Sequence, residues 1–265
     1  MAEFAQTNAR LLERSGCDDS CLEVYENDRF RWLQHGNGTL QSAMDRHAPE
    51  RLVLPYTAAM LAALLFMPVP RRALMLGLGG ASQARFLRHH FPDTRITAWE
   101  SDARVIALAR RHFAVHAEDV GAHIVNDDAR AAVASHEHAA DLILMDLFSA
   151  QGSEPWVGER ALHDDCRRNL TAQGVLVANL WVNSDDELLS AMAGVEAAFA
   201  GRILLLTVPG YRNHVVLAFN GGPCLDFVSL RERASRLGER TGLDFGNMLD
   251  SMRHSNRSDA AAFVF

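Results

Sequence analysis

The sequence predicts a doubly wound α/β fold that ends in an antiparallel hairpin and follows a small β-rich unit. Three observations carry this. Continuous apolar runs (ALMLGL, DLILMDLF, GVLVANLWV) alternate with segments of helical periodicity, the pattern of a parallel sheet covered on both faces. Glycines cluster directly after the first run, and acids follow the next three strands. The last two apolar runs, RILLLTVPG and HVVLAFN, are parted only by Tyr211, Arg212 and Asn213. That is too short for a crossover, so they pair antiparallel at the sheet edge.

In chain order, residues 1–20 form a polar N-terminal arm to which no element is assigned. Residues 21–55 hold three short β-type runs, CLEVYEN, RFRWLQHG and TLQSAM, parted by Asn27-Asp28 and by Gly36-Asn37-Gly38. Residues 56–265 make the main domain. Pro55 suits the start of a helix running through TAAMLAALLFM to Pro68 and Pro70. Strands follow at 73–78, 95–100, 123–127, 141–148 and 174–182, and helices at 82–90, 102–113, 129–136, 159–170 and 185–200. In the second of these helices Val105, Ile106, Leu108, Ala109 and Phe113 recur near helical spacing. The tail, 226–265, begins as helix and continues as loop to an apolar end.

Composition narrows the function. The 265 residues carry a net charge of −7 with no dense basic cluster, which argues against a nucleic-acid partner. All 26 basic residues are arginine, so Schiff-base chemistry and the phosphate-loop lysine are excluded. The first residues lack the apolar core of a signal peptide, and no stretch reaches the roughly 18 apolar residues of a membrane helix. Cys17, Cys21, Cys166 and Cys224 form no CxxC pair and read as free thiols in a reducing cytoplasm. His112 and His116 could share a helix face, but no third ligand matches their spacing, so no metal is predicted. His136-Glu137-His138 reads as a solvated loop, and no G-x-S-x-G elbow is present.

In an open α/β sheet, ligands sit beyond the carboxyl ends of the strands. After the first strand come Gly77, Leu78, Gly79, Gly80 and Ser82, where the backbone can approach a ligand at a helix N-terminus. Glu100 ends the second strand, 23 residues past Gly77, at about the distance where an acid grips ribose hydroxyls. Asp127, Asp128 and Ala129 follow the third strand and Asp146 the fourth. As plain helix caps, Asp102 and Asp127 fit better than Glu100 or Asp146. Ser82 occupies the third glycine position of the dinucleotide fingerprint, which disfavours a nicotinamide nucleotide.

In order, ALMLGLGGAS, ITAWESD, VNDDAR, DLILMDLFSAQG and GVLVANLW resemble the spermidine synthase (aminopropyltransferase) family. RFRWLQHGNGTLQS and LVLPYTAAM resemble its N-terminal unit and the following helix, so the likeness spans residues 21 to 222. It implies a Rossmann-like, class I methyltransferase-like catalytic domain binding S-adenosylmethionine or its decarboxylated form as co-substrate, and a homo-oligomer. By this resemblance Glu100 holds the ribose and Asp128 the adenine amino group, while residues 77–82 lie against ribose and sulfur. Asp146 is the catalytic candidate, helping to deprotonate an attacking amine. Gln41, Tyr56, Ser149 and Trp156 are the substrate-binding candidates, with residues 149–159 placed to cover the acceptor.

Three acids of the family pattern are absent. D-x-x-D-P reads Asp146-Leu147-Phe148-Ser149-Ala150, the glycine-loop acid is Gly80, and Y-H/Q-E reads Tyr56-Thr57-Ala58. Burying a diamine's two charges without carboxylates costs several kcal/mol each, roughly. Asp45, Glu50, Glu154 or Asp164 could replace them. Gly80 leaves room for a donor carboxylate, which favours complete S-adenosylmethionine. The expected function is aminopropyl transfer to a small-molecule amine of altered specificity. The alternatives are methyl transfer and a non-catalytic nucleoside-binding relative.

Overall fold

The computed structural model describes residues 8–16, 21–67, 69–115, 122–135, 139–149, 152–153, 155–223 and 225–265. Strands β1 (Arg10–Ser15), β2 (Leu22–Glu26), β3 (Phe30–His35) and β4 (Leu40–Asp45) form an antiparallel meander. β1 lies in the arm to which the sequence assigns no element. It is an edge strand with no fully buried residue, so no apolar alternation marks it. Beyond its backbone pairing with β2, ion pairs tie it down: Arg10 pairs with Glu26 at 2.6 Å, and Arg14 with Glu23 at 2.6 Å.

The helix predicted from Pro55 is α1 (Pro55–Met60), which tightens into a 3-10 turn over Leu61–Leu65. All five residues of that turn are buried, and Arg233 donates to the Leu65 carbonyl at 3.0 Å. A buried helix end thus finds a partner for one of its orphan carbonyls.

The main sheet contains β5 (Arg72–Leu76), β6 (Arg95–Trp99), β7 (Ala122–Val125) and β8 (Ala140–Met145), whose carboxyl ends form the site. Short strands β9 (Phe148–Ser149) and β10 (Gly152–Ser153) pair with each other outside it. β11 (Leu170–Trp181), β12 (Ile203–Thr207) and β13 (Asn213–Phe219) complete it in the order β12-β13-β11-β8-β5-β6-β7. β13 is antiparallel to both neighbours, as the short 211–213 turn requires. Neighbours β5 and β8 are far apart in sequence, so the strand order reverses there and opens a crevice above Gly77 and Asp146.

Helices α2 (Ser82–His90), α3 (Ala103–His112), α4 (Ala129–Ala134), α5 (Arg160–Asn169) and α6 (Asp185–Phe199) connect the strands. Ala73 and Met75 face one core while Leu74 and Leu76 face the other, which is why β5 reads as unbroken apolar sequence. The tail holds two helices, α7 (Phe227–Thr241) and α8 (Phe245–Ser255), where the sequence predicts one. Asp244 caps α8 by accepting from the Asn247 amide at 2.9 Å, and Phe245, Leu249 and Met252 are buried on one side. No helix among the described residues is long and apolar enough to cross a membrane.

Candidate active site

Gly77 leaves β5 with φ +96°, and a Cβ there would stand 2.4 Å from the carbonyl oxygen of Asp146. Only glycine lets the ends of β5 and β8 meet so closely. Around this contact lies a cavity of about 250 Å³, lined by residues that the sequence places far apart. Gly77, Leu78 and Gly79 form its floor, with Glu100, Asp128, Ala129 and Asp146 around them.

Glu100 organises the loop. Its Oε2 accepts from the Leu78 amide at 3.1 Å and its Oε1 from the Asp102 amide at 3.0 Å. Burial pushes its pKa up, and these amides pull it back. Asp128 caps α4, accepting from the Arg130 amide at 2.7 Å, and pairs with the Arg130 guanidinium at 2.7 Å. That arginine holds the carboxyl below its ordinary range. The cap after β7 is therefore Asp128; Asp127, which the sequence fits to a cap better than Glu100 or Asp146, accepts from the Asp128 amide at 2.8 Å. Asp102 caps α3 as predicted, accepting from Arg104 at 2.8 Å. Arg130 lies 4.8 Å over the Trp156 ring, so Trp156 closes the Asp128 side of this cavity.

Asp146 is the centre of a polar cluster. Asn179 on β11 donates to its Oδ1 at 2.7 Å, and Asn213 on β13 donates to Asn179 at 3.0 Å. The Tyr56 hydroxyl donates to the Gln41 carbonyl at 3.3 Å and stands beside Asp146, where its O–H favours the ionised carboxyl. Burial pushes the Asp146 carboxyl up to about 6; Asn179 and Tyr56 pull it down, and the Glu100 charge adds to the rise. Such a group is ionised at neutral pH yet more basic than an ordinary aspartate, which suits a general base. Burial raises the Tyr56 hydroxyl well above its usual range, so it acts as a donor.

A second cavity of about 440 Å³ adjoins the cluster. Tyr56 and Asn213 belong to both: they line this cavity and connect to Asp146, directly or through Asn179. Leu40, Leu54, Trp181 and Tyr211 give it apolar and aromatic walls. Among the described residues no acid lines it, and Arg212 is the one charged wall residue.

The remaining candidates fall as follows. Gln41 lines the first cavity, and its Oε1 is buried with no hydrogen-bond partner among the described residues. Gly80 and Ser82 do not line either cavity. Ser82 is buried at the start of α2 and donates to the Ala43 carbonyl at 3.2 Å. A Cβ at Gly80 would meet Ser42 Oγ at 2.6 Å and Phe113 Cδ1 at 3.0 Å. Packing thus accounts for the glycine, and the room expected beside it for a donor carboxylate is already filled. Ser149 is described by its backbone alone, paired with Gly152.

Of the acids offered as replacements, Asp45 is bound to Arg29 at 3.2 Å and Asp164 to Arg160 at 3.2 Å. Neither these nor Glu50 lines a cavity, and Glu154 lies outside the described residues. His112 bonds Glu13 at 2.7 Å; His116, Cys17, Cys224 and residues 136–138 also lie outside the described residues. Sequence reasoning misses Gln83, Trp99, Ser101 and Leu147, which line the first cavity, and most of the second. Trp99, Ser101 and Leu147 directly flank predicted acids at strand ends, a signal that could have found them.

No family model matches the chain. It is 34% identical over 240 residues to a polyamine aminopropyltransferase of Chromobacterium violaceum, covering 90% of this chain and 92% of that protein. A polyamine aminopropyltransferase of Neisseria meningitidis is 33% identical over 242 residues, covering 91% and 92%. The crystal structure of a probable spermidine synthase from Corynebacterium glutamicum shares the fold, with TM-score 0.72 at 20% identity over 98% of this chain and 99% of that one. Human methyltransferase-like protein 13, in complex with SAH, does so with TM-score 0.65 at 24% identity over 72% and 93%.

Proposed function

We propose, from the premise that this chain belongs to the polyamine aminopropyltransferase family, that it transfers an aminopropyl group from decarboxylated S-adenosylmethionine to an amine of altered specificity. The observation that carries this reading is the Asp146–Tyr56–Asn179 cluster, which stands between a cavity rimmed by acids and a cavity with none among the described residues.

The first cavity fits the donor. Glu100 and Asp128 end successive strands at the positions that suit ribose hydroxyls and an adenine amino group. The orphan Gln41 Oε1 supplies an acceptor for the donor's ammonium, a role for which position 80 offers no acid. The sulfonium makes its neighbouring carbons electrophilic. Asp146 takes a proton from the acceptor amine, freeing the nitrogen lone pair. That nitrogen attacks the aminopropyl carbon bound to sulfur; the C–N bond forms as the C–S bond breaks. Sulfur keeps the bonding pair and leaves as neutral methylthioadenosine. Tyr56 and Asn179 hold the carboxylate in place by hydrogen bonding and need not exchange protons themselves.

Calorimetry with decarboxylated S-adenosylmethionine, S-adenosylmethionine and methylthioadenosine tests the reading. Binding tightest for the decarboxylated form supports it. Preference for the complete form supports methyl transfer instead, and no binding at millimolar concentration defeats both.

A further inference from the structure

The second cavity specifies the acceptor more closely than the missing acids do. A diamine of polyamine metabolism is a dication, and desolvating its far ammonium against Leu40, Leu54, Trp181 and Tyr211 would leave that charge unpaired. Among the described residues no carboxylate lines this cavity; Asp146 stands behind Tyr56 and the Asn179–Asn213 pair, and it serves the attacking nitrogen. At the exposed rim, Arg212 presents a guanidinium that repels a second ammonium. Arg212 donates one N–H to the Asn183 carbonyl oxygen of the side chain at 2.7 Å and has no acid partner among the described residues. Its other N–H groups are free to take a planar anion, for which a guanidinium is the best-suited side chain. Asn37 and Asn213 add neutral polar groups to the same walls.

Resting on the transferase reading above, we infer that the acceptor is a primary amine whose far end is a carboxylate, an ω-amino acid in type, with its nitrogen at Asp146 and its carboxylate at Arg212. The apolar walls take the intervening methylenes. The bond changes are those already written, since only the far end of the acceptor differs: the amine gains the aminopropyl carbon, and methylthioadenosine leaves with the sulfur electron pair.

The test measures methylthioadenosine release from decarboxylated S-adenosylmethionine with acceptors of matched length: 4-aminobutanoate, 1,4-diaminobutane and butylamine, then the five-carbon set. The expected result is a kcat/KM for the amino acid about tenfold or more above that for the diamine. In Arg212→Gln that advantage is lost through KM, and in Arg212→Glu the diamine becomes the better substrate. A wild-type preference for the diamine, or a ranking unmoved by Arg212→Glu, overturns the inference while leaving aminopropyl transfer intact. A second readout is independent of turnover: calorimetry of 4-aminobutanoate binding in the presence of methylthioadenosine. Binding that Arg212→Gln abolishes supports the inference even where no amine reacts, and absence of binding counts against it. No release with any of the amines defeats the transferase reading itself.

Discussion

The two cavities on either side of the Asp146–Tyr56–Asn179 cluster are built from different parts of the chain, and their described walls carry opposite charge. The first is made by the ends of β5 to β8, each of which delivers an acid or a glycine at a position set by the sheet register. The second is made by the turn over residues 37–40, the segment at Leu54 and Tyr56, Trp181 and the 210–213 hairpin turn. Strand ends are held by the hydrogen bonds of their neighbours, so the first cavity cannot change without disturbing the sheet. Loops carry no such constraint. A single fold can therefore keep one ligand while its partner ligand changes, and the second cavity, which has no acid among the described residues, is where such change would register.

The largest expected effect breaks the link between the cavities. Asp146→Asn should lower kcat about 10²–10⁴-fold, the usual worth of a positioned general base, as measured by methylthioadenosine release. An unaffected rate would detach Asp146 from the chemistry. Next, Glu100→Ala acts on the first cavity alone. It strips the Leu78 and Asp102 amides of their shared acceptor, and calorimetry should show donor affinity down about 10–100-fold. Acceptor discrimination by the Arg212 variants should be preserved in sign, because Glu100 does not line the second cavity.

A smaller effect concerns stability. With its carboxyl pushed up to about 6, folded Asp146 holds its proton more tightly than the unfolded chain does. Its contribution is thus favourable below pH ~4 and is lost as pH rises through about 6, leaving a buried charge that folding must accommodate. Asp146→Asn should therefore be more stable than wild type at pH 8, by about 1–3 kcal/mol, with the difference gone near pH 4. Urea denaturation at the two pH values checks this. The smallest effect sharpens the cluster's role: Tyr56→Phe removes a hydrogen bond that lowers the Asp146 pKa. The rate should fall about fivefold at pH 6.5, with the acid limb of the pH profile moved upward.

The sheet is legible because its strands are apolar on both faces, and the first cavity because acids ending apolar runs have no packing reason to be there. Gly77 is legible as a close approach, though its partner, the Asp146 carbonyl, is not. Gly80 shows the limit: as a motif position it suggests room for a ligand, but tertiary contact with Ser42 and Phe113 fills that room. Whether Asp127 or Asp128 caps α4 depends on one residue of backbone conformation, which no pattern encodes. The second cavity is largely silent because its walls come from segments with no shared periodicity. β1 escapes for want of buried residues, and α8 escapes despite the signals of Asp244 and the Phe245, Leu249, Met252 spacing.

The central claim, that Asp146 acts as base between two separately built cavities, is tested most directly by one pH profile. The measurement is kcat/KM for methylthioadenosine release from decarboxylated S-adenosylmethionine, using the fastest amine of the matched set, in wild type and Asp146→Asn. The account predicts a rise through about pH 6 in the wild type, as the carboxyl ionises, and no such limb in the slow variant. A variant that keeps both the limb and the wild-type rate would contradict it.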